Sequence, residues 1–216
     1  MALQKLDLEE QEKLDALKSW WRENGKLILL AVLAGAVAVA GVNGWRWYEQ
    51  RQSLDAGRLY EALAQASRAG DAKALREASG TLAERYPRSL YASMGALAAA
   101  RFHFERGELK SAKAQLQWVI ERSPSDNFRD LARLRLASVL LDESALDEAL
   151  KLLEEKPQEA FAGQYAALRG DVLVAKNQPQ EARAAYQQAL DKTDAASGPG
   201  SAFRDSVQMR LDALGG

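Results

Sequence analysis

Gly107-Glu108-Leu109-Lys110-Ser111-Ala112, Ser144-Ala145-Leu146-Asp147-Glu148-Ala149 and Asn177-Gln178-Pro179-Gln180-Glu181-Ala182 are three versions of one pattern. Each begins with a turn residue, runs through a spacer and a short polar or charged stretch, and reaches an alanine. Gly70-Asp71-Ala72-Lys73-Ala74-Leu75 is a weaker fourth version. The turn residues stand 37, 37 and 33 positions apart, close to the period of about 34 residues that marks stacked helix pairs of the tetratricopeptide type. Twelve residues before the alanine, where paired helices of such a unit cross closely, stand Ala100, Ala137 and Gly170. Four and seven residues after it come Leu116 and Val119, then Leu153 with Lys156 as a mismatch, then Tyr186 and Ala189.

Prolines punctuate the frame. Pro87 and Pro124 end second helices, and Pro157 cuts the third unit short. Asp194 stands where the fourth unit would have proline. The first unit matches in its turn, its proline and its helicity alone, so it reads as degenerate. A Ser197-Gly198-Pro199-Gly200-Ser201 linker then precedes a last helix over 203–214.

Composition agrees with an all-α chain. Of 216 residues, 40 are Ala and 32 are Leu, whereas Val, Ile and Thr together number 13. Strong helix formers dominate and strand formers are scarce. There is no Cys and one His, which excludes disulfides, a thiol nucleophile and a Cys- or His-rich metal centre. The 29 basic and 30 acidic residues cancel, which argues against nucleic acid as a partner.

Residues 27–42 read LILLAVLAGAVAVAGV, with no polar side chain, and Asn43, Gly44 and Trp45 extend the uncharged run to nineteen residues between Lys26 and Arg46. As a helix, this run spans about 28 Å, the thickness of a bilayer's hydrocarbon core. Trp20 and Trp21 before it, and Trp45, Trp47 and Tyr48 after it, are interface anchors by type and place. Ala38-Val39-Ala40 fits a signal-peptide cleavage pattern, but the long, acidic preceding region favours an uncleaved anchor. Lys13, Lys18, Arg22 and Lys26 on one side outnumber Arg46, Arg51 and Arg58 on the other by one, a slight preference for a cytoplasmic N-terminus. In the tail, Asp7 and Glu10 are spaced as a capping pair, Leu14, Leu17 and Trp21 share a helical face, and Asn24-Gly25 predicts a helix stop. The organisation expected is a cytoplasmic tail with a short amphipathic helix (1–26), a transmembrane helix (27–48), tetratricopeptide-like repeats (49–196), and a linker with a C-terminal capping helix (197–216).

Residues 6–14 and then Leu17-Lys18-Ser19-Trp20-Trp21-Arg22-Glu23-Asn24-Gly25-Lys26, one apolar span and Ala-rich repeats together resemble the YfgM family. The Lys-x-Trp-Trp-x-x-Asn-Gly-Lys stretch is the most specific element. The resemblance covers the whole chain. It implies a bacterial inner-membrane protein, single-pass, with its repeats in the periplasm. It further implies an accessory subunit of the SecYEG translocon, working with the chaperone PpiD on exported non-native polypeptides. No catalytic residue and no cofactor come with it. The alternative is a regulatory tether whose cytoplasmic tail sequesters an envelope-stress signalling protein.

The repeat frame also nominates a surface. Positions 2, 5, 9, 12 and 13 of each first helix face the concave side. In the second unit these are Met94, Leu97, Arg101, Phe104 and Glu105. In the third they are Leu131, Leu134, Ser138, Leu141 and Asp142, and in the fourth Gln164, Ala167, Asp171, Val174 and Ala175. This lining is mostly apolar, suited to non-native chains or an apolar partner helix. Phe203, Val207, Leu211 and Leu214 fall at helical spacing and could instead cover it. His103 reads as a packing residue between the helices of its unit. Glu154-Glu155 lie on a charged face, and Gly198-Pro199-Gly200 lacks the lysine of a phosphate loop.

Overall fold

The computed structural model describes residues 8–193 and 202–215. Asp7 and the predicted 197–201 linker lie outside them. The described residues form nine α-helices and one 3-10 turn. The helices are α1 Leu8–Ala69, α2 Ala72–Arg85, α3 Leu90–Glu105, α4 Leu109–Arg122, α5 Asp126–Asp142, α6 Leu146–Leu153, α7 Ala162–Ala175, α8 Pro179–Lys192 and α9 Ala202–Ala213. The chain divides into two compact units, Met1–Arg51 and Gln52–Gly216.

In the first unit α1 is helical without interruption, and the predicted stop at Asn24-Gly25 does not occur. Asn24 donates its side-chain amide to the Trp20 carbonyl at 3.1 Å instead of capping a helix end. Glycine inside a helix costs only about 1 kcal/mol, which the long helical runs on both sides, the second of them apolar, absorb. Nor does the helix end at residue 48, because α1 continues to Ala69. It is long and apolar enough to cross a membrane, and among the described residues its most apolar window is unburied. Trp20, Trp21, Trp45, Trp47 and Tyr48 are all exposed. Trp45 and Tyr48 rings lie 6.4 Å apart, and the Arg51 guanidinium sits 4.0 Å from the Trp47 ring centroid, so the distal end carries a small amphipathic cluster.

In the second unit, the end of α1 and α2, α3 and α4, α5 and α6, and α7 and α8 form successive helix pairs. Every pair turns the same way. Gly70, Gly107, Ser144 and Asn177 have φ of 71°, 74°, 62° and 59°. At each turn the next N–H reaches back five residues: Asp71 to Ala66, Glu108 to His103, Ala145 to Leu140 and Gln178 to Leu173, at 2.8–2.9 Å. This left-handed C-terminal cap satisfies carbonyls the ending helix would leave orphaned. The periodic residues of the sequence are the ones with positive φ.

The crossings use small residues as the frame predicts. Ala100, Ala137 and Gly170 are buried, as are Ala112, Ala149 and Ala182 of the partner helices, and at Gly170 the Tyr186 ring occupies the room a side chain would take. The degenerate first unit solves the same crossing differently. Leu63 and Leu75 replace the small pair, both fully buried, and Gly95 of α3 makes the room: a Cβ there would lie 2.8 Å from Leu82 and 3.3 Å from Leu63. His103 is buried, as expected of a packing residue, and its Nδ1 donates to Glu108 at 2.6 Å.

Pro157 has the predicted effect: α6 has 8 residues where α4 and α8 have 14. Asp130 of α5, 3% exposed, ties down the chain beyond α6. Its carboxylate accepts from the Gln158 N–H at 2.8 Å and from Arg133 at 3.0 Å, while the Tyr165 hydroxyl donates to its carbonyl at 3.2 Å. Burial, then the Asp130 charge, pushes the Tyr165 hydroxyl pKa up, so it remains a donor.

Candidate interaction surface

The repeated turns place α3, α5 and α7 side by side as first helices, with α3 touching α5 and α5 touching α7. Their shared face is the surface the repeat frame nominated, and its residues take different roles. Leu97 is a correction: at 6% exposure it belongs to the main core cluster with Ala100, Leu116 and Leu136, so it offers nothing to a partner. At position 5 the helix has already rotated towards α4. Leu131, Leu134 and Leu141 are half-buried on the rim of that cluster, and Met94 is half-buried. Phe104 and Val174 are each 42% exposed. Arg101 is exposed and donates through Nε to Glu105 at 2.7 Å, which raises its pKa above the usual guanidinium value.

The last helix covers one end. Val207 of α9 is fully buried in a cluster with Ala167, Leu173, Ala185 and Tyr186, with Phe203, Leu211 and Leu214 packed around it. Asp171, a predicted concave position of α7, accepts from Arg210 at 2.7 and 3.0 Å and from the Tyr186 hydroxyl at 2.8 Å. Arg183 donates to the carbonyls of Leu214 and Gly215. The contacts of α9 are mainly with α8, as those of α5 are with α4, so α9 stacks as the next first helix would. It caps the array and leaves Met94, Phe104, Leu131 and Leu134 uncovered by any of the contacts it makes.

Arg135 was not singled out by the frame. It follows Leu134 on α5 and is exposed. Burial first, and the charge of Arg101 second, push its pKa below the usual guanidinium value. Two arginines, 133 and 135, stand among the leucines 131, 134, 136, 140 and 141, and the sequence does not distinguish them.

Beyond the concave face, the shortness of α6 leaves a cleft of about 790 Å³, lined by Leu153, Pro157, Tyr165, Arg169 and Lys192 among others. Among the described residues, no group of three or more His, Asp or Glu side chains gathers as a metal site would need.

The description of a tetratricopeptide repeat-like domain matches residues 18–216. The chain belongs to that family. A tetratricopeptide repeat-like array supplies a scaffold and leaves its partner open, which makes full-length relatives informative. One from Neisseria gonorrhoeae is 29% identical over 208 residues, 96% of this chain and 98% of its own. One from Escherichia coli is 28% identical over 205 residues, 95% and 96% of the two chains. One from Haemophilus influenzae is 29% identical over 185 residues, 84% and 89%. All three are described as ancillary SecYEG translocon subunits. The likeness read from the Lys-x-Trp-Trp stretch leads to the same description and is borne out.

Proposed function

We propose that this protein is a single-pass inner-membrane subunit associated with the SecYEG translocon, whose repeats present an interaction surface to polypeptides in the periplasm. The observation that carries the reading is the similarity to translocon subunits over 96% of the chain, anchor and repeats together. An apolar α1 with aromatic anchors supports membrane insertion. The small excess of basic residues before the span supports a cytoplasmic N-terminus. A repeat array with an open, partly apolar concave face supports binding, rather than chemistry, as its work. PpiD and newly exported, non-native chains are the partners that the family resemblance suggests.

Two experiments test this. The chain lacks cysteine, so single cysteines at Ser53 and at Lys13 report topology directly. A membrane-impermeant thiol reagent applied to spheroplasts is expected to label the first and spare the second; the reverse result overturns the orientation. A photo-reactive residue at Phe104 or Leu134 is expected to capture PpiD or an arrested exported chain in whole cells, while one at Lys110 on α4 captures neither. Equal capture from all three positions would refute the concave face as the binding surface.

A further inference from the structure

The cleft left by the short α6 shares no residue with the concave face. Two segments line it: residues 153–159 beyond α6, and one face each of α7 and α8. The first carries Glu154, Glu155 and Glu159 against Lys156 alone, whereas the second carries Arg169 and Lys192 and no acid. Opposite charges thus line one cleft, yet none of these side chains makes an ion pair among the described residues. Both sides are fixed. The Gln158 N–H is held by buried Asp130 at 2.8 Å, and the 3-10 turn Glu159–Phe161 follows. Across the cleft α7 and α8 touch closely, since a Cβ on Gly163 would lie 2.7 Å from the Thr193 hydroxyl and 3.3 Å from the Ala189 carbonyl. Leu153, Ala162, Tyr165 and Ala166 supply small or apolar lining between the charges.

The size of the gap is that of a piece of helix. α6 ends about six residues short of α4 and α8. Six helical residues rise about 9 Å, and a helix about 10 Å across then fills roughly 700 Å³, close to the 790 Å³ of the cleft. In α4 and α8 the missing turns carry Val119 and Ala189, both fully buried, where this segment has Lys156. We propose that the cleft receives about two turns of a helix from another polypeptide, which completes the second-helix layer of the third pair. That helix turns a small side chain to Ala162 and Ala166, a carboxylate to Arg169 and Lys192, and a basic side chain to the three glutamates. Each charge of the cleft then meets its opposite, with the arginine fork matched to the carboxylate. A free phosphate or other small anion would satisfy Arg169 and Lys192 but leave the glutamates uncompensated. An extended strand would find no strand edge among the described residues to pair its backbone amides, whereas a helix satisfies its own.

The test uses the full chain in nonionic detergent micelles and short fluorescein-labelled peptides. The parent peptide is a lactam-stapled helix with two alanines one turn apart, glutamates along one flank and lysines along the other. A second replaces each Glu by Gln, a third replaces each Glu by Lys, and a fourth is unstapled with a central Pro. Fluorescence anisotropy is expected to show the parent binding about tenfold tighter than the Gln peptide, the scale of a charge-assisted hydrogen bond, and the Pro peptide failing to bind. Arg169→Glu with Lys192→Glu is expected to reverse the preference, towards the all-Lys peptide, which loss of structure would not do. Its melting temperature is expected to stay close to that of the unchanged protein, because neither cation has an ionic partner to lose. Should the reversed pair melt early, Arg169→Gln alone is expected to erase the preference for Glu over Gln. Failure of the parent peptide to bind, equal affinity for the Glu and Gln peptides, binding of the Pro peptide as tight as the parent, or an unaltered preference in these variants overturns the proposal. Capture of polypeptides from Phe104 in cells reports on the concave face instead and is expected to survive Arg169→Gln.

Discussion

Gly170 offers the sharpest test of the helix-pair geometry. It lies inside α7 with ordinary helical backbone, so alanine there gains about 1 kcal/mol in helix propensity. Against that, a Cβ would sit 2.4 and 2.5 Å from the Cε1 and Cδ1 atoms of Tyr186. The ring has little freedom to retreat. Its hydroxyl donates to Asp171 at 2.8 Å, and Asp171 is held by Arg210 at 2.7 Å. Overpacking of this kind costs about 1–3 kcal/mol, and giving up a hydrogen bond to a charged acceptor costs about 1.5–3 kcal/mol more. If the ring gives partly in both ways, Gly170→Ala is destabilised by about 2 kcal/mol net of the propensity gain, which for a chain this size lowers the midpoint by about 4–8 °C. Gly80 in α2 is the control: exposed, helical, with nothing within 4 Å of its Cβ position. Gly80→Ala is expected to gain about 0.4–1 kcal/mol. Thermal and urea unfolding followed by circular dichroism on the full chain in micelles measures both. Two alanines that shift stability in the same direction and by the same amount would mean that α7 and α8 do not cross at Gly170.

Three further outcomes are expected. Ser144 holds a φ of 62° that costs a non-glycine residue about 1–2 kcal/mol, so Ser144→Gly stabilises slightly while Gly107→Ala, at φ 74° with open space around it, destabilises; urea midpoints give the two signs. The His103 hydrogen bond, first among several causes, holds the Glu108 pKa below its ordinary 4.5. The stabilisation is therefore complete above that value and is lost as pH falls through the folded pKa, and Glu108→Gln is expected to flatten this part of the acid limb of a melting-temperature profile. Asp130→Ala strands Arg133 and the Gln158 N–H in a buried place, while the Tyr165 hydroxyl keeps the carbonyl of residue 130, and is expected to cost about 3–5 kcal/mol by urea titration.

What was legible in the sequence is what local chemistry dictates. Gly70, Gly107, Ser144 and Asn177 announce left-handed turns, and alanine or glycine twelve residues before the next alanine announces a close crossing. The shortening of α6 was written in Pro157. Asn24-Gly25 misled because tolerance of a left-handed conformation is not an obligation, and a helix that runs on into a long apolar span keeps both residues. Counting nominated a concave face, yet Leu97 is buried because one helical position cannot say how far a neighbouring helix wraps around it. The Leu63–Leu75 crossing was hidden because its compensation, Gly95, lies in a different helix pair. Asp130 has no sequence signal of its own, because only the fold brings Gln158 and Tyr165 to it.

The truncation of α6 has a consequence for how the array comes apart. In a stacked repeat, stability accumulates from each junction to the next, so cooperativity is limited by the thinnest junction. Between the third and fourth pairs the second-helix layer is missing about six residues, and a cleft stands where α4 and α8 have apolar surface to share. A polar tether through Asp130 spans this junction, together with the contacts of α5 and α6 on α7. Under mild denaturation α8 and α9 should then exchange their amide hydrogens as one block, ahead of α3 to α5, and Asp130→Asn should widen the interval between the two blocks. A single exchange rate across both blocks would mean that the junction is stronger than its geometry implies. On this geometry the cap can loosen while the face between α3 and α5 stays formed.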